Sequence, residues 1–155
     1  MNTTTTILVS KKGMKELKKA VSHLTRQRQT IIGMIRELDK TDSHEQRLER
    51  MDKLAELDTV ESQLADKQLQ LSHAKLFPRK RDALKVALGS VVELIDTQGR
   101  LFRYQLVDSI EANPSDGRIS THSPLGQSLI GRTIQDTIRW GSGLQPRQLT
   151  LVAIH

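Results

Sequence analysis

From Met14 the apolar residues recur in alternating steps of three and four: Met14, Leu17, Val21, Leu24, Ile31, Ile35 and Leu38, with Arg28 the one interruption. That spacing puts every member on one stripe of a helix, and such a stripe is stable only when a second helix covers it. At the interrupted position the aliphatic stem of Arg28 can pack while its guanidinium reaches water. Ser10 is the expected N-cap, and no proline stands before Pro78. A second apolar stripe follows at Leu48, Met51, Leu54, Leu57, Val60, Leu64, Leu71 and Ala74. Between the stripes, Asp39 to His44 is polar and turn-forming, with Ser43 or Asp42 able to cap the second helix. Two helices of about 27 and 30 residues, at ~1.5 Å per residue, make a rod of roughly 40 to 45 Å. The competing arrangement, one unbroken helix pairing with a second copy, would need apolar seam residues between Leu38 and Leu48, where the chain is polar. The spacing therefore predicts a hairpin within a monomer.

Charge is segregated along the same segment. Residues 1 to 36 carry eight basic groups against Glu16, residues 37 to 66 carry four against ten acids, and residues 67 to 85 carry six against Asp82. Folded into a hairpin, this order gives a negative tip and a positive base. Lys11, Lys12, Lys15, Lys18, Lys19 and Arg26 form the basic set, suited to an acidic protein surface or an RNA backbone; an ordinary solvated helix face is the competing reading. Residues 86 to 155 hold six basic and six acidic groups, so the two halves differ electrostatically.

Beyond Phe77 the period changes. Val91–Asp96 and Leu101–Val107 read as strands joined by Thr97-Gln98-Gly99, and Asn113 to Gly117 as a loop. Arg118–Ser120 reads as a short strand, Ser123-Pro124 as the cap and first residue of a short helix stopped by Gly131, and 134–140 and 148–154 as further strands. Gly141-Ser142-Gly143 is an expected turn. The expected division is 1–77 helical hairpin, 78–87 linker with Arg79-Lys80-Arg81, and 88–155 a small α+β domain with a twisted antiparallel sheet over one helix. With no cysteine, thiolate metal sites, disulfides and cysteine nucleophiles are excluded. The five histidines show no pair at ligand spacing, and no glycine-rich phosphate loop is present. No apolar run suits a membrane span and Met1 to Ser10 lacks secretory features, so a cytoplasmic protein without membrane contact is expected.

Three blocks carry a resemblance: Leu88-Gly89-Ser90-Val91-Val92, Tyr104-Gln105-Leu106-Val107, and Ile119-Ser120-Thr121-His122-Ser123-Pro124-Leu125-Gly126-Gln127-Ser128-Leu129-Ile130-Gly131. They resemble the C-terminal domain of the GreA/GreB transcript cleavage factors of bacterial RNA polymerase. Lys12-Gly13-x-x-x-Leu17, Glu61-x-x-Leu64 and Ser72-x-Ala74 are similar to the family's N-terminal half. The resemblance implies an N-terminal antiparallel coiled-coil hairpin followed by an FKBP-like sheet domain that docks on RNA polymerase. That docking would fall to Ser123, Pro124, Leu125 and Gly126, while the hairpin enters the secondary channel.

The family's tip presents two carboxylates three residues apart, a spacing that lets both face one hard cation. Asp42 and Glu45 have that spacing here, with Asp39 a second choice; the glycine, asparagine and tyrosine of the family's tip motif have no counterparts. The implied activity is that of an accessory factor, not an enzyme. It would lend carboxylates to the polymerase's Mg²⁺-assisted hydrolysis of backtracked RNA, holding no metal or cofactor of its own. Two alternatives stay open: channel occupancy without cleavage, and a free-standing RNA-binding or scaffolding coiled coil. Prolyl isomerase activity is not expected, because Phe102, Tyr104 and Trp140 read as core packing rather than as a pocket lining.

Overall fold

The computed structural model describes residues 5–78, 84–140 and 147–155. Arg79-Lys80-Arg81 of the expected linker and the Gly141-Ser142-Gly143 turn lie outside the described residues. The chain forms two compact units, one built on Met14–Ala74 and the other on Thr6–Gly13 together with Lys75–His155. The segment Thr6–Gly13, expected with the hairpin, thus counts with the sheet unit, as do residues 75–77.

The first unit is a pair of long helices, α1 (Lys11–Leu38) and α2 (His44–His73). Ile31, Ile35 and Val60 are buried together, with Leu24 and Leu57 packed against them, so the stripe of α1 is covered by α2 of the same molecule. This is the expected antiparallel hairpin. Arg28 packs on the seam as anticipated, its Nε donating to Glu61 Oε1 at 3.0 Å. The reading of α2 needs correction at its start. Leu48, Met51 and Leu54 are 52%, 66% and 39% exposed. Counting back from Val60 in steps of three and four leads through Leu57 to Lys53, Arg50 and Gln46, which are half-buried. The seam of an antiparallel pair follows position, not hydrophobicity, so here α1 is covered by aliphatic stems of polar residues. Lys53 illustrates this: its stem lies by Ile31 and Met34, and its ammonium is bound by Glu56 at 2.8 Å.

The second unit begins with β1 (Ile7–Val9), which pairs with β2 (Ala74–Leu76), a two-stranded sheet the sequence did not announce. The main sheet contains β3 (Val91–Asp96), β4 (Leu101–Val107), β5 (Arg118–Ser120), β6 (Thr137–Trp140) and β7 (Arg147–Ile154) in the order β5-β4-β3-β7-β6. The β3–β4, β3–β7 and β6–β7 pairs are antiparallel. The edge strand β5 joins parallel to β4, because the 3-10 turns at Ser109–Glu111 and Pro114–Asp116 carry the chain back before it re-enters. Gly99 lies in the β3–β4 turn at φ 80°, the left-handed region where glycine costs least. One short helix, α3 (Pro124–Leu129), covers the sheet. Alternate residues of the strands, among them Val92, Leu94, Leu106, Ile138 and Leu151, meet Leu125 and Leu129 of α3 in the core.

Candidate functional site

At the hairpin tip, α1 ends at Leu38 and Ser43 caps α2, its Oγ accepting the Gln46 amide at 3.2 Å. Asp42 stands just before the cap and Glu45 in the first turn after it, both exposed. A carboxylate there is favoured by the unpaired amides of the helix start. The three acids expected at the tip are not equivalent. Asp42 Oδ1 is 3.2 Å from Arg47 Nε, and Asp39 Oδ1 is 2.5 Å from Arg50 Nε. Glu45 makes no ion pair among the described residues. These are surface pairs of long side chains, each worth about 0–1 kcal/mol and readily opened. Among the described residues no three of His, Asp and Glu are grouped as metal ligands.

The basic set occupies α1. At 3.6 residues per turn, Lys11, Lys15, Lys18, Lys19 and Arg26 fall within an arc of roughly 100°, away from the seam, and all five are exposed. Lys12 is set apart from them. Its Nζ binds Asp116 Oδ2 at 2.6 Å, part of a network that sequence reasoning missed. In that network Glu111, 5% exposed, accepts the Ser10 amide at 3.0 Å and the Ser10 hydroxyl, and meets Arg118 Nη1 at 3.4 Å. Arg118, 6% exposed, also donates from Nε to Asp116 at 2.9 Å. Ser10 Oγ in turn accepts the Gly13 amide at 2.9 Å, confirming it as the cap of α1. The Arg118 and Lys12 hydrogen bonds hold the Asp116 carboxyl down at about 2. The one signal in the sequence was Lys12-Gly13, since a glycine in a helical first turn needs a reason.

The block Ile119 to Gly131 is explained by packing around α3. Ser123 Oγ donates to the Ser120 carbonyl at 2.6 Å and accepts the Gly126 amide at 3.0 Å. A Cβ at Gly126 would collide with the Ser120 carbonyl oxygen, so glycine is what allows α3 to approach β5. Of the four residues expected to dock, Leu125 and Gly126 are buried, Ser123 is half-buried, and Pro124 is exposed. The aromatics depart from expectation. Phe102, Tyr104 and Trp140 pack on the core only in part and line a cavity of about 360 Å³ with Leu125 and Arg147. At its rim, burial pushes the Asp96 carboxyl up, but the Arg100 amide, the Arg100 guanidinium and the Gln98 amide outweigh that and hold it below its usual range.

A capped helical hairpin with an acidic tip, joined to a small sheet domain that is electrostatically balanced, defines the class of two-part factors to which the motif blocks pointed. Residues 81–155 match the family described as transcription elongation factor, GreA/GreB, C-terminal. Transcription elongation factor GreA of Mycoplasma pneumoniae is 30% identical over 132 residues, covering 83% of this chain and 82% of that one. GreA of Zymomonas mobilis is 41% identical over 80 residues, and this match spans about half of each protein, 51% of either. Among solved structures, Thermus aquaticus Gfh1 is 26% identical over 97% of this chain and 99% of that one, with a TM-score of 0.44. The chain belongs to the GreA/GreB family of transcription elongation factors.

Proposed function

We propose that this protein binds RNA polymerase in the cytoplasm as a monomeric accessory factor and inserts its helical hairpin into the secondary channel of backtracked or paused complexes. The second unit provides the docking surface around Ser123 to Gly126, with Pro124 the accessible member. The observation that carries the reading is the placement of Asp42 and Glu45, exposed on either side of the Ser43 cap at the hairpin tip. From there they are available as oxygen ligands to Mg²⁺ of the polymerase active centre, where a bound ion with an oriented water hydrolyses the RNA phosphodiester. The factor supplies carboxylates and the polymerase supplies metal and chemistry. The basic face of α1 adds salt-dependent attraction for polymerase or for extruded nascent RNA.

A second reading, occupancy of the channel without cleavage, is supported by the Arg47–Asp42 and Arg50–Asp39 pairs, which occupy two of the three tip acids. A transcript cleavage assay on stalled, backtracked polymerase decides between them. Shortening of the RNA that is lost in the Asp42→Asn, Glu45→Gln double variant supports carboxylate delivery. Competition with an established GreA for the polymerase, without any shortening, supports occupancy. Failure to bind core polymerase refutes both and leaves the scaffolding coiled coil.

A further inference from the structure

A cleft of about 950 Å³ opens in the second unit, within the range of about 300–1,000 Å³ in which small molecules are held. Its walls come from three places in the chain: Ser10 to Lys12, Leu76 to Pro78, and the sheet residues Gln105 and His155. All of them belong to that one body. The local structure explains the opening. After β1 the chain turns at Ser10 into α1, while β2 runs on into Phe77, whose amide donates to the Val9 carbonyl at 3.1 Å. Pro78 has no amide to give, and the pairing ends there. The Phe77 ring rests on Gly89; a Cβ at that position would stand 3.0 Å from Phe77 Cγ, so the missing side chain is what seats the ring. Gln105 and His155 lie on either side of Val91, Gln105 opposite it on β4 and His155 joined to it by backbone bonds of 2.8 and 3.0 Å. Their side chains therefore share one face of the sheet.

The lining is divided by chemistry. Leu76, Phe77 and Pro78 make an apolar wall, the other residues are polar or basic, and none of the described residues lining the cleft is acidic. Lys11 makes no ion pair among the described residues. Lys12 holds Asp116 in an exposed pair of a kind that opens readily. The side-chain amide of Gln105, a donor and an acceptor together, has no hydrogen-bond partner among the described residues. Glu93 stands at the edge, 3.8 Å from His155.

We propose that this cleft binds a free purine nucleoside di- or triphosphate. Two adjacent lysines are compact point charges, suited to a phosphate; a planar carboxylate is matched better by the fork of an arginine. A terminal phosphate carries close to two negative charges, enough for both ammonium groups, whereas the phosphodiester of an RNA chain carries one and would leave a lysine unpaired. The apolar wall receives the base, a purine covering more of it than a pyrimidine does, and Gln105 meets the polar edge of the ring. The site uses no part of the hairpin tip and does not depend on polymerase.

The full-length chain is titrated, without polymerase, with N-methylanthraniloyl derivatives of ADP and GDP at physiological salt. Unlabelled ATP, GTP, pyrophosphate, guanosine and a short RNA with hydroxyl ends then compete. The nucleotides should bind with a Kd of about 100 μM or tighter, and pyrophosphate and guanosine should each compete at least about ten-fold more weakly. Lys11→Glu should weaken nucleotide binding about ten-fold or more, and Gln105→Leu about three- to ten-fold. Lys11 is exposed and an acid is well placed in the first turn of a helix, so its reversal tests the site with unchanged far-ultraviolet circular dichroism even where Gln105→Leu disturbs the sheet. Absence of binding by both labelled nucleotides overturns the site, and Lys11→Glu binding them as the parent does overturns its location. Pyrophosphate competing as well as GTP overturns the base contact, and RNA competing better than GTP overturns the free nucleotide as the occupant. Because polymerase is absent from every arm, none of these results bears on the function proposed above.

Discussion

The carboxylate of Glu111 fills the space that a side chain at position 13 would need. A Cβ built on Gly13 would lie 2.6 Å from Glu111 Oε1 and 2.7 Å from Oε2. The carboxylate cannot swing aside, because Ser10 and Arg118 hold it and its side chain is 1% exposed. Alanine in place of glycine would gain about 1 kcal/mol of helix propensity, yet the overpacking costs about 1–3 kcal/mol. Gly13→Ala is expected to lower stability by about 1–2 kcal/mol in urea unfolding. A midpoint that stays put or rises contradicts the fit.

Removing Glu111 takes one carboxylate away from the buried Arg118. Losing one member of a buried pair costs about 3–5 kcal/mol, and the remaining Asp116 bond reduces that here. Glu111→Ala should therefore cost about 2–3 kcal/mol, and Glu111→Gln, which keeps one acceptor for Ser10, less. Denaturant titration of both variants checks the order, and equal losses would mean that the acceptor kept by glutamine contributes nothing and the whole loss follows the charge.

Acid should weaken the fold through Asp116. Its carboxyl is held at about 2 by Arg118 and then Lys12, below the unfolded value of about 3.9. A depressed folded value gives stability that is complete above the unfolded one and is lost as pH falls through the folded one. The contribution therefore fades between about pH 4 and pH 2. Asp116→Asn should be less stable than the parent at pH 6, and the gap should close by pH 2. A gap that is constant with pH would exclude this carboxylate as the titrating group.

Arg28 occupies a seam position and is paired with Glu61 at 3.0 Å, both side chains being partly exposed. Such a pair contributes about 0–1 kcal/mol, whereas burying a leucine contributes about 1.5–3 kcal/mol. Arg28→Leu is expected to stabilise the hairpin by about 1 kcal/mol, read as a higher midpoint of helix loss by circular dichroism. A lower midpoint would give the ion pair more weight than its exposure warrants.

At the tip, Arg47→Gln releases Asp42. Stability should change by less than about 0.5 kcal/mol, as for exposed pairs generally. If Asp42 serves the polymerase metal, RNA cleavage should rise two- to five-fold. Cleavage that falls would assign Arg47 itself a role in the channel.

Legibility followed the range of the interactions. The α1 stripe was readable because strict three-and-four spacing, kept up over roughly seven turns, arises in little besides a helix with a covered face. The start of α2 was not, since Leu48 and Met51 are apolar yet point away from α1, and the seam there is made by the stems of Arg50 and Lys53. The strands of β3 and β4 were given by alternation and the Gly99 turn, and the α3 cap by Ser123-Pro124. β1 and β2, three residues each, are too short to show a period. The Ser10–Glu111 contact spans 101 positions, beyond any local pattern. The tip acids and the basic set were visible as charge, but that Arg47 and Arg50 pair with Asp42 and Asp39, and Asp116 with Lys12, follows only from the folded chain. The aromatic residues do pack against the core as read, though only in part; their share in a cavity lining was not visible, because composition does not show how little of a sheet a six-residue helix covers.

Because Thr6–Gly13 folds with Lys75–His155, the hairpin is an insertion within the chain of another body rather than a domain placed ahead of it. Its two ends leave and return through neighbouring strands, since β1 and β2 are hydrogen-bonded. A cut made before Lys75 would therefore strip the remaining piece of one of its own strands and of the Ser10 partner of Glu111. A hairpin exchanged between Gly13 and Ala74 would keep all of that body's own segments, Thr6–Gly13 and Lys75–His155, and replace only the first residue of β2.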